Sequence, residues 1–473
     1  MNDFRQILGI YNPWWSDGIL AFGKLPEFHR TIFDDIYRDL LQLPQMISVT
    51  GPRRVGKSTL LKQIIKKMIE SGTNPDSIIY YSFDDPALLS DRINRDDFVN
   101  SLFTGEDPSE KKPKFLFLDE IQSLPNWELY LKKYYDLGFP LKIIVSGSAT
   151  SPIFKKSRES LMGRLKDYHL LSFSFCEFVS YFLSDKKSLV EELSNVQVSG
   201  RNLLNFADPD CLSSKIPDLS ESLKKELDHL LSQYFLEGGY PEVWSLPSLE
   251  AKLDYLFDNQ VKKVIYEDLV LAADFRRPEM LKRFYISLLE NPGKEISLNT
   301  FANETEINLQ QIQKYLPLLE MTDLVYSLPK FRSQVLRIRK GLAKYYISDL
   351  ALRNAVMRLP DSLLENSDLL GLYAENLVYL TLRRSKSILQ IDYYREKNNE
   401  VDFIAHTANG NYLPIEVKYR NSIEKKFLSG IDYFRERHEK SVNGLVITKH
   451  WSDSGSFFGN VAIPLPLYLI LMG

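Results

Sequence analysis

The chain's hydrophobic and polar positions change rhythm several times, and each change marks a different kind of element. A short apolar run at 46–49 leads into a glycine-containing loop. Leu60, Leu61, Ile64, Ile65, Met68 and Ile69 then recur at helical spacing. Further apolar runs at 78–83, 115–118 and 141–145 lack alternation, as expected of strands covered on both faces of a parallel sheet. Residues 46–175 therefore read as a strand–helix α/β domain. Over 176–280 the pattern is mostly helical (177–183, 187–193, 223–236 and 249–270), with a polar interruption near 194–220. Gly238-Gly239-Tyr240-Pro241 reads as a turn that ends a helix.

Residues 281–349 have another plan. A helix at 281–289, a second opened by Ser297 and a third capped by Asn308 precede strand-like runs at 324–328 and 345–348. Three helices and a hairpin predict a winged helix, whose third helix is the usual groove reader. Residues 324–348 hold Lys330, Arg332, Arg337, Arg339, Lys340 and Lys344 and no acidic residue. Such a run is a solvated face or, at a wing, a set of phosphate contacts to DNA. Residues 350–473 turn to α/β again, with a helix at 372–383 and strands at 391–394, 400–405, 412–418 and 444–448. Residues 1–45 form an N-terminal segment with Trp14-Trp15 and an amphipathic helix near 30–43.

At 473 residues the chain exceeds a single core, and two to four domains are expected. With 44% hydrophobic and 26% charged residues it has a globular composition. No stretch approaches the roughly 18 apolar residues of a membrane span, so no membrane partner is expected. Residues 1–10 lack a secretion pattern. Cys176 and Cys211 make no disulfide framework or zinc motif, which fits a reducing, cytoplasmic setting. A net charge of −3 gives no global bias toward nucleic acid, so any such binding must come from local patches.

The most specific chemistry lies at Gly51-Pro52-Arg53-Arg54-Val55-Gly56-Lys57-Ser58-Thr59, a phosphate-loop pattern between strand and helix. Glycines let backbone amides wrap a phosphate chain, and the following helix turns its positive end to the anion. Lys57 would reach the β/γ-phosphates and Ser58 would ligate Mg²⁺. The run at 115–118 ends in Asp119 and Glu120, at the sheet edge where the loop sits. Asp119 would hold Mg²⁺ and Glu120 would polarise the attacking water. Ser146, at the tip of a third run, would contact the γ-phosphate or lytic water, or merely belong to a Gly-Ser turn. Arg164 would stabilise γ-phosphate charge in cis or from a neighbouring subunit, or pair on the surface.

A second constellation lies near the C-terminus. Asp402 and the pair Glu416 and Lys418 sit on two apolar strands joined by the turn Asn409-Gly410. Alternation puts Glu416 and Lys418 on one strand face, and Asp402 can meet them from its neighbour. Two carboxylates and a lysine, completed by Glu375, make a Mg²⁺ site for phosphodiester chemistry. The other reading is a structural salt bridge left from such a site.

Together these motifs resemble the AAA+-type ATPases widespread in archaea and bacteria. The resemblance includes Leu118-Asp119-Glu120-Ile121-Gln122, Ser146-Gly147-Ser148, Met162-Gly163-Arg164, the 173–178 box and Gly238-Gly239-Tyr240-Pro241. It implies a P-loop parallel-sheet ATPase core (46–175), a helical lid region (176–280), a winged helix (281–349) and a PD-(D/E)xK, restriction-endonuclease-like α/β domain (350–473). The expected function is ATP- and Mg²⁺-dependent hydrolysis acting on DNA, with a C-terminal metal-dependent nuclease and a homo-oligomer as candidate assembly. The competing expectation is a nucleotide-regulated scaffold that binds a protein partner through an inactive nuclease fold.

Overall fold

The computed structural model describes residues 2–86, 94–104, 114–148, 160–203, 218–269, 278–290, 292–305, 307–332 and 342–473. They divide into two compact units, Met1–Leu171 with Glu267–Phe275, and Ser172–Tyr266 with Arg276–Gly473.

The first unit is built on strands β1 (Met46–Gly51), β2 (Ile78–Ser82), β3 (Lys114–Asp119), β4 (Leu141–Ser148) and β5 (Leu165–His169). All pairings are parallel, in the order β2-β3-β4-β1-β5. Ile47, Val49, Leu116, Leu118, Ile144 and Val145 on the three inner strands are fully buried, which is why those runs carry no polar alternation. β5 lies at an edge and is half-exposed, so its polar sequence gives no such signal.

β2 forms the other edge, where unpaired backbone groups would invite association. The N-terminal segment covers it with side chains. The Asn12 amide donates to the Tyr80 carbonyl (2.9 Å) and its oxygen accepts from the Tyr80 amide (2.7 Å). The indoles of Trp14 and Trp15 donate to the Ile78 carbonyl (3.3 and 3.0 Å). Phe4 and Tyr11 stack edge-on against Phe98 and Tyr81. The 1–45 segment is thus part of the first unit's core and edge.

In the second unit, β6 (Glu295–Ser297), β7 (Val325–Pro329) and β8 (Leu342–Ile347) form an antiparallel sheet in the order β6-β8-β7. Helix Pro278–Glu290 precedes β6, and helices Leu298–Thr305 and Leu309–Met321 lie between β6 and β7. The larger sheet contains β9 (Ile388–Glu396), β10 (Asn399–Thr407), β11 (Tyr412–Lys418), β12 (Leu445–Thr448), β13 (Gly455–Phe457) and β14 (Asn460–Pro464). Its order is β13-β14-β12-β11-β10-β9. Phe403, Ile415 and Ile447 face a core shared with helices Phe175–Phe182, Glu221–Glu237, Ser367–Arg384 and Leu465–Met472. Ile404, Val446 and Ala462 face the opposite side, against Ile431 and Phe434.

Two expectations change here. The helices expected as a lid over 176–280 fall largely in the second unit and build its core. The hairpin strand expected at 345–348 begins at Leu342, three residues earlier, and a further strand, β6, joins the hairpin. The eight residues Leu465–Met472 are all buried, so this helix has no polar face for periodicity to reveal.

Gly51 closes β1 at φ 151°, and a Cβ there would stand 1.9 Å from the Leu170 carbonyl oxygen. Gly371, within helix Ser367–Arg384, has open space around its Cβ position. Gly51→Ala should therefore destabilise the first unit by about 1–3 kcal/mol, whereas Gly371→Ala should be neutral or slightly stabilising. Scanning calorimetry that resolves the two units checks this, and equal effects would contradict it.

Candidate functional site

β1 delivers Thr50 and Gly51 to the C-terminal edge of the parallel sheet, and the chain turns through 52–56 into helix Lys57–Glu70. Two left-handed residues shape that turn, Arg54 (φ 63°) and Gly56 (φ 97°). Pro52 and Val55 are buried, Arg53 and Thr59 half-buried, and Arg54 exposed. The Lys57 ammonium donates to the carbonyls of Gly51 (3.1 Å) and Pro52 (2.7 Å), so it lies inside the loop.

Register brings the other strand tips to the same edge. Ser82 pairs with Asp119, Leu118 with Val145 and Gly51 with Ser148. The Asp119 carboxylate is buried and accepts from the Tyr80 hydroxyl (2.7 Å), the Ser146 hydroxyl and the Glu120 amide (3.1 Å). Burial and the Asp119 charge push the Tyr80 phenol far above its ordinary value, so it stays a neutral donor. Tyr80, Asp119 and Ser146 thus form one chain of hydrogen bonds beside the phosphate loop, and the carboxylate they orient is an oxygen ligand suited to a hard divalent cation.

Glu120 follows in a left-handed conformation (φ 48°), and its carboxylate accepts from the Gln122 amide. A non-glycine residue in that region carries strain of a kind concentrated at functional sites. Ser146 reaches the site, but its buried hydroxyl is spent on Asp119. Arg164 does not reach it. It precedes β5 at the opposite sheet edge, where its carbonyl accepts from the Met46 amide, and its guanidinium makes a two-pronged pair with Asp136 (2.8 and 3.1 Å). A contribution in cis from Arg164 is therefore corrected, because the length of β1 separates it, beside Met46, from the loop that follows Gly51.

Two residues had no place in the sequence reading. Tyr80 lies within a strand run and looks like core. Arg30 donates to the carbonyls of Val55 (2.8 Å) and Leu171 (2.9 Å), tying the phosphate loop to the chain leaving β5. A cation at a helix start is disfavoured by the dipole, and the helix begins only at Phe33, which leaves Arg30 outside that position.

In the second unit, Asp402, Glu416 and Lys418 converge as their strand spacing predicts, and Glu375 joins them from helix Ser367–Arg384. β10 pairs irregularly with β9 between Val401 and Ile404, and on its other side, beyond the last pair with β11 at Phe403 and Ile415, side chains take the place of ladder bonds. The Val417 amide donates to Asp402 (2.9 Å), and the Asp402 amide to Glu416 (3.3 Å). Lys418 pairs with Glu416. The surrounding cavity, about 600 Å³, is also lined by Glu400, Arg395 and Lys344.

Lys344 is the correction. Among the wing residues expected to touch phosphate, Arg337, Arg339 and Lys340 lie outside the described residues, Lys330 is half-buried and Arg332 is exposed. Lys344 is only 3% exposed and points into the carboxylates. Its Nζ lies 3.0 Å from Glu400, 3.3 Å from Glu375 and 3.7 Å from Asp402. Because β8 starts at Leu342, Lys344 shares a face with Tyr346, whose hydroxyl donates to Glu375 (2.7 Å). Burial alone would lower the Lys344 pKa, but the three acids outweigh it and raise it, so the ammonium is charged. Burial raises Glu375 and Glu416 against the pull of the lysines. Among the described residues, no three carboxylate, imidazole or thiolate groups stand arranged to hold a metal. The acids do not fit a divalent cation while Lys344 stands between them.

Residues 44–179 match the family model described as AAA domain. Residues 228–363 and 370–468 match models described as domains of unknown function, DUF8612 and DUF4143. The chain is similar to the uncharacterized protein MJ1544 of Methanocaldococcus jannaschii, 28% identical over 381 residues, which cover 79% of this chain and 75% of that protein. It is 25% identical over 369 residues to an uncharacterized protein of Haemophilus influenzae, covering 76% and 79% respectively. The solved structure of C. elegans PCH-2 overlaps 48% of this chain and 66% of its own, at 15% identity and a TM-score of 0.30, too low for a fold assignment. With its parallel sheet, phosphate loop and family match, the stretch 44–179 is an AAA-type ATPase domain.

Proposed function

We propose that the first unit hydrolyses ATP and that this turnover drives or switches an action of the protein on DNA. The carrying observation is the chain Tyr80–Asp119–Ser146 beside a loop that holds the Lys57 ammonium. The amides of 51–58 would bind the phosphates, Lys57 would neutralise β/γ charge, and Ser58 and Asp119 would hold Mg²⁺. Mg²⁺, when bound, adds positive charge where negative charge develops on the transferred phosphate. Glu120 orients water, and Tyr80 and Ser146 fix Asp119. Arg164 would act, if at all, on a neighbouring copy in a homo-oligomer.

Support for DNA comes from the second unit. Helix Leu309–Met321 exposes Gln310, Gln313 and Lys314, and its order with β6, β7 and β8 follows the winged-helix plan. Half-buried Lys330 and exposed Arg332 follow β7 on the way to β8. The Asp402–Glu416–Lys418 hairpin, with Glu375 on the preceding helix, supports a nuclease-like plan. The scaffold reading keeps one observation in its favour, the lysine seated among those acids.

Lys57→Ala should abolish nucleotide binding, whereas Glu120→Gln should keep binding and slow turnover by roughly 10²–10⁴-fold. Equilibrium binding of labelled ATP together with phosphate release separates the two, and near-wild-type turnover in Glu120→Gln would remove that residue from the reaction. Tyr80→Phe should raise the Mg²⁺ concentration needed for half-maximal turnover, since Asp119 loses a positioning donor; an unmoved Mg²⁺ requirement would reduce Tyr80 to packing.

Phosphate release measured with and without single- and double-stranded DNA tests the action on DNA. Stimulation is expected. Turnover indifferent to both, with a stable protein partner, would favour the scaffold. If the basic wing contacts duplex phosphates, Arg337→Ala and Arg339→Ala should each flatten the log K against log[salt] slope by roughly 0.9. An unchanged slope would make that run a solvated face.

A further inference from the structure

We propose that Lys344 is an internal cation that closes the second unit's acidic pocket to divalent metal, so that the pocket can be loaded only when this side chain leaves. The proposal rests on the nuclease-like reading of that pocket and adds its regulation.

Geometry carries it. A metal bridging Glu375 and Asp402 would occupy the space between their oxygens, and the Lys344 ammonium already touches Glu375 (3.3 Å), Asp402 (3.7 Å) and Glu400 (3.0 Å). An ammonium and a divalent cation cannot share three carboxylates at such distances without strong repulsion. Lys344 comes from a separate element, β8, whose strand face aims it inward beside Tyr346. Tyr393 adds a ring face 5.6 Å from the ammonium. The pocket already has a lysine of the catalytic pattern in Lys418, which sits on Glu416. A second buried lysine on the remaining acids is surplus to that pattern, and its effect is to cancel the charge a metal needs.

The immediate surroundings agree. Arg395 lies 3.7 Å from Glu400 and 3.9 Å from Glu295, so Glu400 has a second cation when Lys344 departs. Glu375 keeps the Tyr346 hydroxyl, and Asp402 keeps the Val417 amide. The acids would therefore stay oriented after the lysine withdraws, an arrangement that suits exchange of one cation for another.

The test titrates Mn²⁺ into the nucleotide-free full chain by calorimetry, comparing wild type with Lys344→Met and with the double variant Lys344→Met, Asp402→Ala. Wild type should take Mn²⁺ only weakly, in the millimolar range. Lys344→Met should take one ion about tenfold tighter or better, and the added Asp402→Ala should remove it. Wild type binding as tightly as Lys344→Met, or a folded Lys344→Met that binds none, would overturn the proposal and leave a structural ion pair. Should Lys344→Met not fold, acetylation of wild-type lysines read by mass spectrometry decides. Millimolar Mn²⁺ should raise labelling of Lys344, and labelling unmoved by Mn²⁺ overturns the proposal. Mn²⁺ binding without any DNA cleavage in Lys344→Met would sustain the gate while removing the nuclease reading.

Discussion

The buried carboxylate of Asp119 sets the terms for the first unit. A charge at the end of a buried strand is costly unless its oxygens are satisfied. Here the donors are two hydroxyls and an amide: Tyr80 from β2, Ser146 from β4 and the Glu120 backbone. Those donors exist only if β2, β3 and β4 hold their parallel register, with Tyr81 beside Leu118 and Leu118 beside Val145. β2 in turn is an edge strand held by Asn12, Trp14 and Trp15. The N-terminal segment is thus coupled to the Asp119 carboxylate through one strand, although it contributes no atom to the loop.

Much of this was legible in the chain. The phosphate loop announces itself because Gly51 and Gly56 adopt conformations that side chains resist, and the inner strands because both their faces are buried. Alternation placed Glu416, Lys418 and Asp402 together correctly. Failures came where the local pattern is silent. β5 is polar because it is an edge, helix Leu465–Met472 is apolar all round, and β6 is three residues long. Lys344 was misread for one reason, a strand boundary set three residues late. That shift turned an inward strand position into a loop residue and a buried ion pair into a supposed phosphate contact.

The grouping of helices over 176–266 was also beyond local pattern. An amphipathic helix shows that it buries a face, but not against which sheet. Phe178, Leu227 and Leu230 find their partners in Tyr373, Leu377 and the C-terminal helix, residues more than a hundred positions away. The capping box of Ser174 and Glu177 starts this region just after the first unit ends at Leu171, so a helix start and a domain boundary nearly coincide.

The two candidate sites satisfy buried carboxylates in opposite ways, and the difference bears on what each can bind. Asp119 is held by neutral donors, which orient it and leave its negative charge intact. Tyr80 stays neutral because burial and Asp119 itself hold its proton on. A carboxylate held in that way would attract a cation arriving with nucleotide. Glu375, Asp402 and Glu400 are held by an ammonium, and the same ion pairs that make their burial tolerable remove the attraction for a metal. Removing one partner from such a cluster is more costly than removing a neutral donor, since an uncompensated charge stays behind. The second site can therefore exchange its lysine only if another cation arrives as the lysine leaves. That makes the exchange a competition between two cations, in which metal binding and Lys344 withdrawal are a single step.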